Sequence, residues 1–416
     1  VVFSGFVPTF QTQGLTNTGA GAGAALDQLA VSDAAASVPI INALNASANV
    51  ATALQSQGNT VGNAAGGQAL TAVQLVADAA RARVWGLSGR ALTRQAEQRQ
   101  AAAELAQATE LFTIADGLED SVEPAGFATS ESTGVDQDGP ALWALALGQF
   151  SEINGDGNSF GFDASTYGVS LGGEWADAPR DNVAGLVIGF TESRVEVDGL
   201  NDDSDIENLQ FGLYGSRRLD DRWSLNGSGS ISTLNFDTSR ATAAGTASGD
   251  FDGFGLFGAL EAIYEWQRND QHVISPFVGI EASFLDRDGY TESGAGALNL
   301  SVQDASDTFL TSIVGVQVAA DYALDNGWRL TPAARVGWAL QYLDQSASTT
   351  SAFSGVLGSS FTTSGPERSR NSVRLSASVD LTPGDSQEWS LFARYTGDLT
   401  DGAQDHIVQV GLRFAF

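Results

Sequence analysis

From Ala141 to the C-terminus, apolar side chains recur at every second position, the period of a strand with two unlike faces. Twelve such segments can be read. The first carries Trp143, Leu145 and Leu147, the second Tyr167, Val169, Leu171 and Trp175, and the third Ala184, Leu186, Ile188 and Phe190. Leu209, Phe211 and Leu213 mark the fourth. Trp223 and Leu225 open the fifth, whose other face is Asn226, Ser228, Ser230 and Ser232. Leu256, Leu260, Tyr264 and Trp266 form the sixth, Ile274, Val278, Ile280 and Phe284 the seventh, and Leu310, Val314, Val316, Val318 and Tyr322 the eighth. Val336, Trp338, Leu340 and Tyr342 make the ninth, Val373, Leu375, Val379 and Leu381 the tenth, and Trp389, Leu391 and Tyr395 the eleventh. The twelfth is the cleanest: Val408, Val410, Leu412, Phe414 and Phe416 alternate with Gln409, Gly411, Arg413 and Ala415.

The connections alternate as well. Polar stretches at 151–165, 196–205, 239–252, 286–306, 344–370 and 397–405 are long; those at 176–182, 219–222, 267–271, 324–327 and 383–388 are short. An even number of alternating segments, with long connections at one end and short turns at the other, is the outer-membrane arrangement. The expected fold is an all-β membrane barrel of twelve antiparallel up-and-down strands. Glu174, Glu261, Glu265, Glu281, Asp380, Arg335, Arg374, Arg394 and Arg413 are expected to face its lumen, because an Arg on the lipid face costs about 2–4 kcal/mol at the midplane. Trp175, Trp223, Trp266, Trp328, Tyr342 and Trp389 lie near strand ends, where amphipathic rings form interfacial girdles. All the Trp of this set adjoin short turns.

The first 140 residues follow a different pattern. Residues 1–23 show no clear period. Residues 24–54 are Ala-rich with scattered Leu and Ile, which predicts helix interrupted near Pro39; 58–67 is Gly-rich and reads as a breaker. Helical spacing resumes at 71–85, Gly86 and Gly89 suggest a break, and 90–115 reads as a narrow second helix with Arg90, Arg94 and Arg99. Residues 117–140 read as an acidic linker. The expected organisation is therefore a passenger remnant or helical stalk at 1–70, a linker and pore helix at 71–116, the acidic linker at 117–140 and the barrel at 141–416. A lumen of this size admits one helix, and 90–115 is expected to thread it, with its Arg pairing to lumen carboxylates.

Composition narrows the function. Twenty basic residues, all Arg, against 50 acidic ones give a net charge of −30, which argues against a nucleic-acid partner. With no Cys, disulfides and thiolate metal sites are excluded. There is no apolar run long enough for a transmembrane helix, a limit that does not touch barrel strands. Val1 begins no signal peptide, so a processed product or a fragment is expected. Asp202-Asp203-Ser204-Asp205 lacks the Gly and Glu of a calcium loop, and no cofactor or metal is expected. His272 and His406 belong to no recognisable Ser-His-acid set, so enzymatic activity is not expected.

Several stretches, in their order and spacing, resemble the translocator β-domain of type V autotransporters: 142–151 with its Trp143-Ala144 start, 155–173, 275–302, Val336 to Trp338 ahead of Phe353 and Gly365, and 390–398 leading into the final GLRFAF. Upstream, Leu87-Ser88-Gly89 resembles an element that precedes the family's pore helix. The resemblance covers 141–416. It implies a monomeric barrel in the bacterial outer membrane, among lipid and lipopolysaccharide, inserted by the outer-membrane barrel assembly machinery, which reads the terminal strand. It also implies secretion and anchoring of the protein's own N-terminal passenger, long loops and N-terminal segment at the cell surface, a periplasmic C-terminus, and a helix left in the pore. The long acidic linker departs from the family pattern, as does the lack of β-helix repeats before Ala24. Residues 81–120 hold no Asn, so no cleavage residue is carried over. The competing reading is a small surface adhesin or porin acting through acidic loops.

Overall fold

The computed structural model describes residues 10, 16–85, 139–177, 182–269, 271–325, 327–343, 346–384 and 388–416. Four helices come first: α1 (Asn17–Ser32), α2 (Ala34–Asn45), α3 (Val50–Gln57) and α4 (Thr60–Trp85). The break expected near Pro39 falls instead at Asp33, whose carboxylate caps α2 by accepting from Ala36 N–H. Pro39 sits inside α2. Asn49 caps α3 through Ala51 and Thr52. The Gly-rich stretch 58–67 breaks the chain only at its start. Asn59 turns it with φ of 58°, and Gly62, Gly66 and Gly67 lie within α4.

The twelve strands of the barrel are β1 (Gly139–Ile153), β2 (Phe162–Asp177), β3 (Asn182–Val197), β4 (Asp203–Arg218), β5 (Trp223–Thr242), β6 (Gly245–Tyr264), β7 (His272–Arg287), β8 (Ala305–Ala320), β9 (Arg329–Gln341), β10 (Asn371–Thr382), β11 (Trp389–Thr400) and β12 (Ala403–Ala415). Each pairs antiparallel with the next, and β12 pairs with β1 from Ala141↔Ala415 to Ile153↔Ala403, which closes the cylinder. All backbone groups along the wall thereby find partners without water, the condition for crossing a bilayer.

Two of the expected long connections are tight turns. β5 and β6 run on to Thr242↔Gly245, and β11 and β12 to Thr400↔Ala403. The polar residues between 239 and 252 are paired strand whose inward side (Arg240, Ala247, Phe251) is buried, while Asp250 and Asp252 point outward. The two longest connections instead build a small antiparallel sheet from Phe361–Ser364, Ser348–Phe353, Leu300–Val302 and Tyr290–Thr291. Helices α1 to α3 cover it. Leu26, Leu29, Ile40, Leu44 and Leu54 share one buried cluster with Leu298, Leu300, Phe353 and Phe361. At about 1.5–3 kcal/mol per buried large aliphatic side chain, this cluster holds helices and loops together as a cap on the long-loop mouth.

The outer wall presents Leu142, Val169, Leu186, Phe211, Leu260, Ile280, Val316, Val336, Val410 and Phe414, all exposed. A contiguous apolar belt of this kind marks a membrane contact. Trp175, Trp223 and Trp266 stand exposed at the short-turn end, where Trp328 and Trp389 meet edge-to-face. The first strand is inverted relative to the face assigned from sequence: Trp143, Leu145 and Leu147 point inward and are buried, and Leu142, Ala144 and Ala146 point outward. The reason is packing, since the inward side chains meet Leu75, Val76, Ala79 and Ala80 of α4.

Candidate functional site: the barrel lumen

Helix α4 runs through the lumen from one end to the other. At the long-loop end Gly62 C=O accepts from Arg287 at 3.0 Å, and Asn63 exchanges hydrogen bonds with Thr349 and Thr363. At the short-turn end Arg83 donates to Glu174. Between them α4 lies against β2 to β7. Its side chains are small for most of its length, and Ala64, Ala65, Ala69, Ala72, Ala77 and Ala80 are fully enclosed. Two larger ones use glycine gaps in the wall: Val73 fills the space over Gly255 of β6, and Val76 that over Gly189 of β3. Wall amides also reach the helix backbone, Asn208 Nδ2 to Ala72 C=O at 3.2 Å and Gln210 Nε2 to Val73 C=O.

Opposite charges finish the contact. Arg81 donates to Glu281 of β7 at 2.5 Å and to Asp78 one turn back at 2.7 Å. Glu281 also accepts from Arg374 of β10 at 2.7 Å, and Arg374 from its Nε reaches Asp398 of β11 at 2.9 Å. Arg335 of β9 pairs with Glu261 of β6 at 2.5 Å and lies over the Phe277 ring at 3.9 Å. Glu174 of β2 accepts from Arg83 at 3.3 Å, from Arg413 of β12 at 2.6 Å and from the Tyr214 hydroxyl at 2.9 Å. Arg394 stands 3.9 Å from Asp380, and Glu265, just past β6, pairs with Arg218 at 3.0 Å. Removing one partner of such a buried pair strands the other at a cost of about 3–5 kcal/mol.

The structure thus places Glu174, Glu261, Glu281, Arg335, Arg374, Asp380, Arg394 and Arg413 on the inner wall and Glu265 at its short-turn rim. Val408, Val410, Leu412 and Phe414 face outward on β12, with Phe416 just beyond it. Arg90, Arg94 and Arg99, and the whole stretch 90–115 expected in the pore, lie outside the described residues. The helix that occupies the lumen is α4, so the boundary drawn at 70/71 falls inside a single element. Arg81 and Arg83, which tie α4 to the wall, were missed by sequence reasoning, which placed the pairing Arg at 90, 94 and 99. Their signal was an Arg-Ala-Arg at the end of a stretch rich in Ala and Gly.

The mouth has its own ion pairs. Arg240 donates to Glu292 at 2.5 Å and to the carbonyls of Ser56 and Leu298, fastening β5, α3 and the long loop together. Arg287 holds Asp307 at 2.8 Å as well as Gly62. Asp202, in the β3–β4 connection, accepts from Ala241 N–H at 2.8 Å and from Ser56 Oγ at 3.3 Å. Burial pushes its carboxyl up to about 6. On the side away from β3 to β5, a cavity of about 140 Å³ remains between α4 and the wall, lined by Gln74, Asp78, Arg374, Ser376, Thr396 and Gln409.

An apolar outside, a charged inside and a closed ladder of twelve strands define an outer-membrane β-barrel. The family model described as Autotransporter beta-domain matches residues 142–396, and the chain belongs to that family, the outer-membrane translocator of type V autotransporters. The fold is shared with the translocator domain of the autotransporter NalP from Neisseria meningitidis (TM-score 0.53, 15% identity, 77% of this chain and 98% of that one). It is shared also with the β-domain of the Bordetella autotransporter BrkA (TM-score 0.51, 18% identity, 67% and 100%). Among curated relatives, an extracellular serine protease of Serratia marcescens is 26% identical over 291 residues, 68% of this chain and 27% of the relative. Outer membrane protein B of Rickettsia typhi is 26% identical over 206 residues, 46% and 12%. The chain spans about a quarter or less of the length of these two relatives.

Proposed function

We propose that the barrel exports the protein's own N-terminal passenger through its lumen, and that α4 is the segment left behind, plugging the pore and anchoring what lies upstream. The observation that carries this is the threading itself. α1 to α3 sit on the long-loop mouth, α4 spans the lumen, and β1 starts at the short-turn end, so the chain passes through its own barrel. In this reading the long-loop mouth and its helical cap are at the cell surface and the C-terminus is periplasmic. Lipid and lipopolysaccharide surround the apolar belt, and the barrel assembly machinery recognises the outward apolar row of β12. The barrel works as a monomeric conduit and not as a catalyst; each histidine is engaged with a tyrosine hydroxyl, His272 with Tyr322 and His406 with Tyr395. The occupied lumen weighs against an open porin.

The test is single-channel conductance in planar bilayers. A chain lacking residues 60–85 is expected to conduct several-fold more than the full chain, because the helix fills most of the bore. Equal conductance of the two would remove the plug from this reading.

A further inference from the structure

The short-turn end of the lumen carries an arrangement that plugging alone does not require. Glu174 is 5% exposed and serves two guanidiniums from different parts of the chain, Arg83 on α4 and Arg413 on β12. β12 and β1 form the pairing that closes the cylinder, and Arg413 stands directly opposite Trp143 across it. The Trp143 indole N–H donates to the Tyr214 hydroxyl at 2.7 Å, and that hydroxyl donates to Glu174. The Trp143 ring lies over Gly172 of β2, and the Phe392 ring over Gly411 of β12, with Arg83 4.7 Å from Phe392. One carboxylate therefore joins the helix, the first strand and the last.

Arg83 and Arg413 both donate to Glu174, and Asp380, the partner of Arg394, lies close enough to act on Arg83 as well. Two buried guanidiniums on one carboxylate gain from its charge and repel each other more strongly once it is neutralised. We propose that Glu174 is a positioning residue that couples the seating of α4 to closure of the β1–β12 seam, so that arrival of Arg83 at the bottom of the pore and docking of the last strand reinforce each other. This rests on the reading that α4 stays in the pore after export.

The chain has no Cys, so a cysteine pair reports on the seam without interference. Ala146 and Val410 face each other across the seam on the outer wall, away from the lumen. In Ala146→Cys/Val410→Cys protein, folded as judged by heat-modifiable migration in gels, oxidative cross-linking is expected to be fast. Glu174→Gln should slow it at least about fivefold and raise conductance, because two facing cations lose their shared anion. Adding Arg83→Gln to Glu174→Gln should return cross-linking to within about twofold of the parent while conductance stays high, since the repulsion is gone but the helix is still untied. Unchanged cross-linking in Glu174→Gln, or no recovery in the double variant, would overturn the coupling. Should Glu174→Gln alone fail to fold, folding of the double variant supports the proposal and failure of both overturns it. The conductance of the chain lacking 60–85 judges the plug separately: if it equals that of the full chain, the plug reading falls, whatever the seam shows.

Discussion

Asp202 is buried where the β3–β4 connection meets α3, and its neighbours decide how the cap responds to pH. Burial raises its carboxyl from the ordinary 3.8 to about 6; Arg240 and the two hydrogen bonds pull the other way, and Glu292 adds to the rise. A carboxyl raised in the folded state binds its proton more tightly there than in the unfolded chain. Its stabilising contribution is complete below about pH 4, shrinks as pH rises from there, and is lost above about 6. The difference amounts to at most about 3 kcal/mol. Hydrogen-exchange protection in α3, taken relative to the intrinsic exchange rate at each pH, is therefore expected to be greater at pH 5 than at pH 7.5. Asp202→Asn, which keeps the accepting oxygen without the charge, should flatten that dependence. In the sequence, Asp202 and its neighbours read only as a carboxylate cluster without the Gly and Glu of a calcium loop. That one of them turns inward depends on α3, far away in the chain, and no local pattern records it.

At the level of elements, strands were legible and helix placement was not. Alternation is a local property, and it found all twelve strands. It gave the period of the first strand without its orientation, because Leu142, Ala144 and Ala146 on one side are nearly as apolar as Trp143, Leu145 and Leu147 on the other. The pore helix carries no amphipathic stripe, being enclosed by wall for most of its circumference. Its glycines (Gly62, Gly66, Gly67) therefore look like a breaker, although Gly66 is what lets Arg287 approach the backbone. The small sheet over the mouth escaped notice because its strands are short and its central pairing, Leu300–Val302 with Ser348–Phe353, joins two connections far apart in the chain. Close seating of α4 also makes a prediction. A side chain at position 255 would compete with Val73 for one space, so Gly255→Val should lift the helix at an overpacking cost of about 1–3 kcal/mol and increase bilayer conductance. Gly258→Val, three residues on and facing open space, should leave conductance unchanged.

For the whole molecule, the ring of indoles fixes its height in the bilayer. Trp175, Trp223 and Trp266 stand on the outer wall at the short-turn end, whereas Trp143 is shut inside the lumen. In reconstituted protein, lipids brominated near the headgroup are expected to quench the outer three more strongly than lipids brominated at the chain ends. A variant retaining only Trp143 should respond to neither. Membrane architecture was the most legible property of this sequence, since it follows from alternation and loop order. The lumen's ion pairs were legible as inward charges but not as partners, because pairing across a cylinder joins strands with no sequence relation, as Glu261 and Arg335 show.

Helix α4 does not fill the bore evenly. It is pressed to one side, and the opposite arc, near Ser376, Thr396 and Gln409, keeps about 140 Å³ to spare. A cylinder proportioned solely to its present tenant would have less slack. If a polypeptide leaves by this route, as we propose, that slack is the clearance a bulky residue needs while sliding past, and a slender, alanine-rich tail is what would come to rest once such traffic had ended.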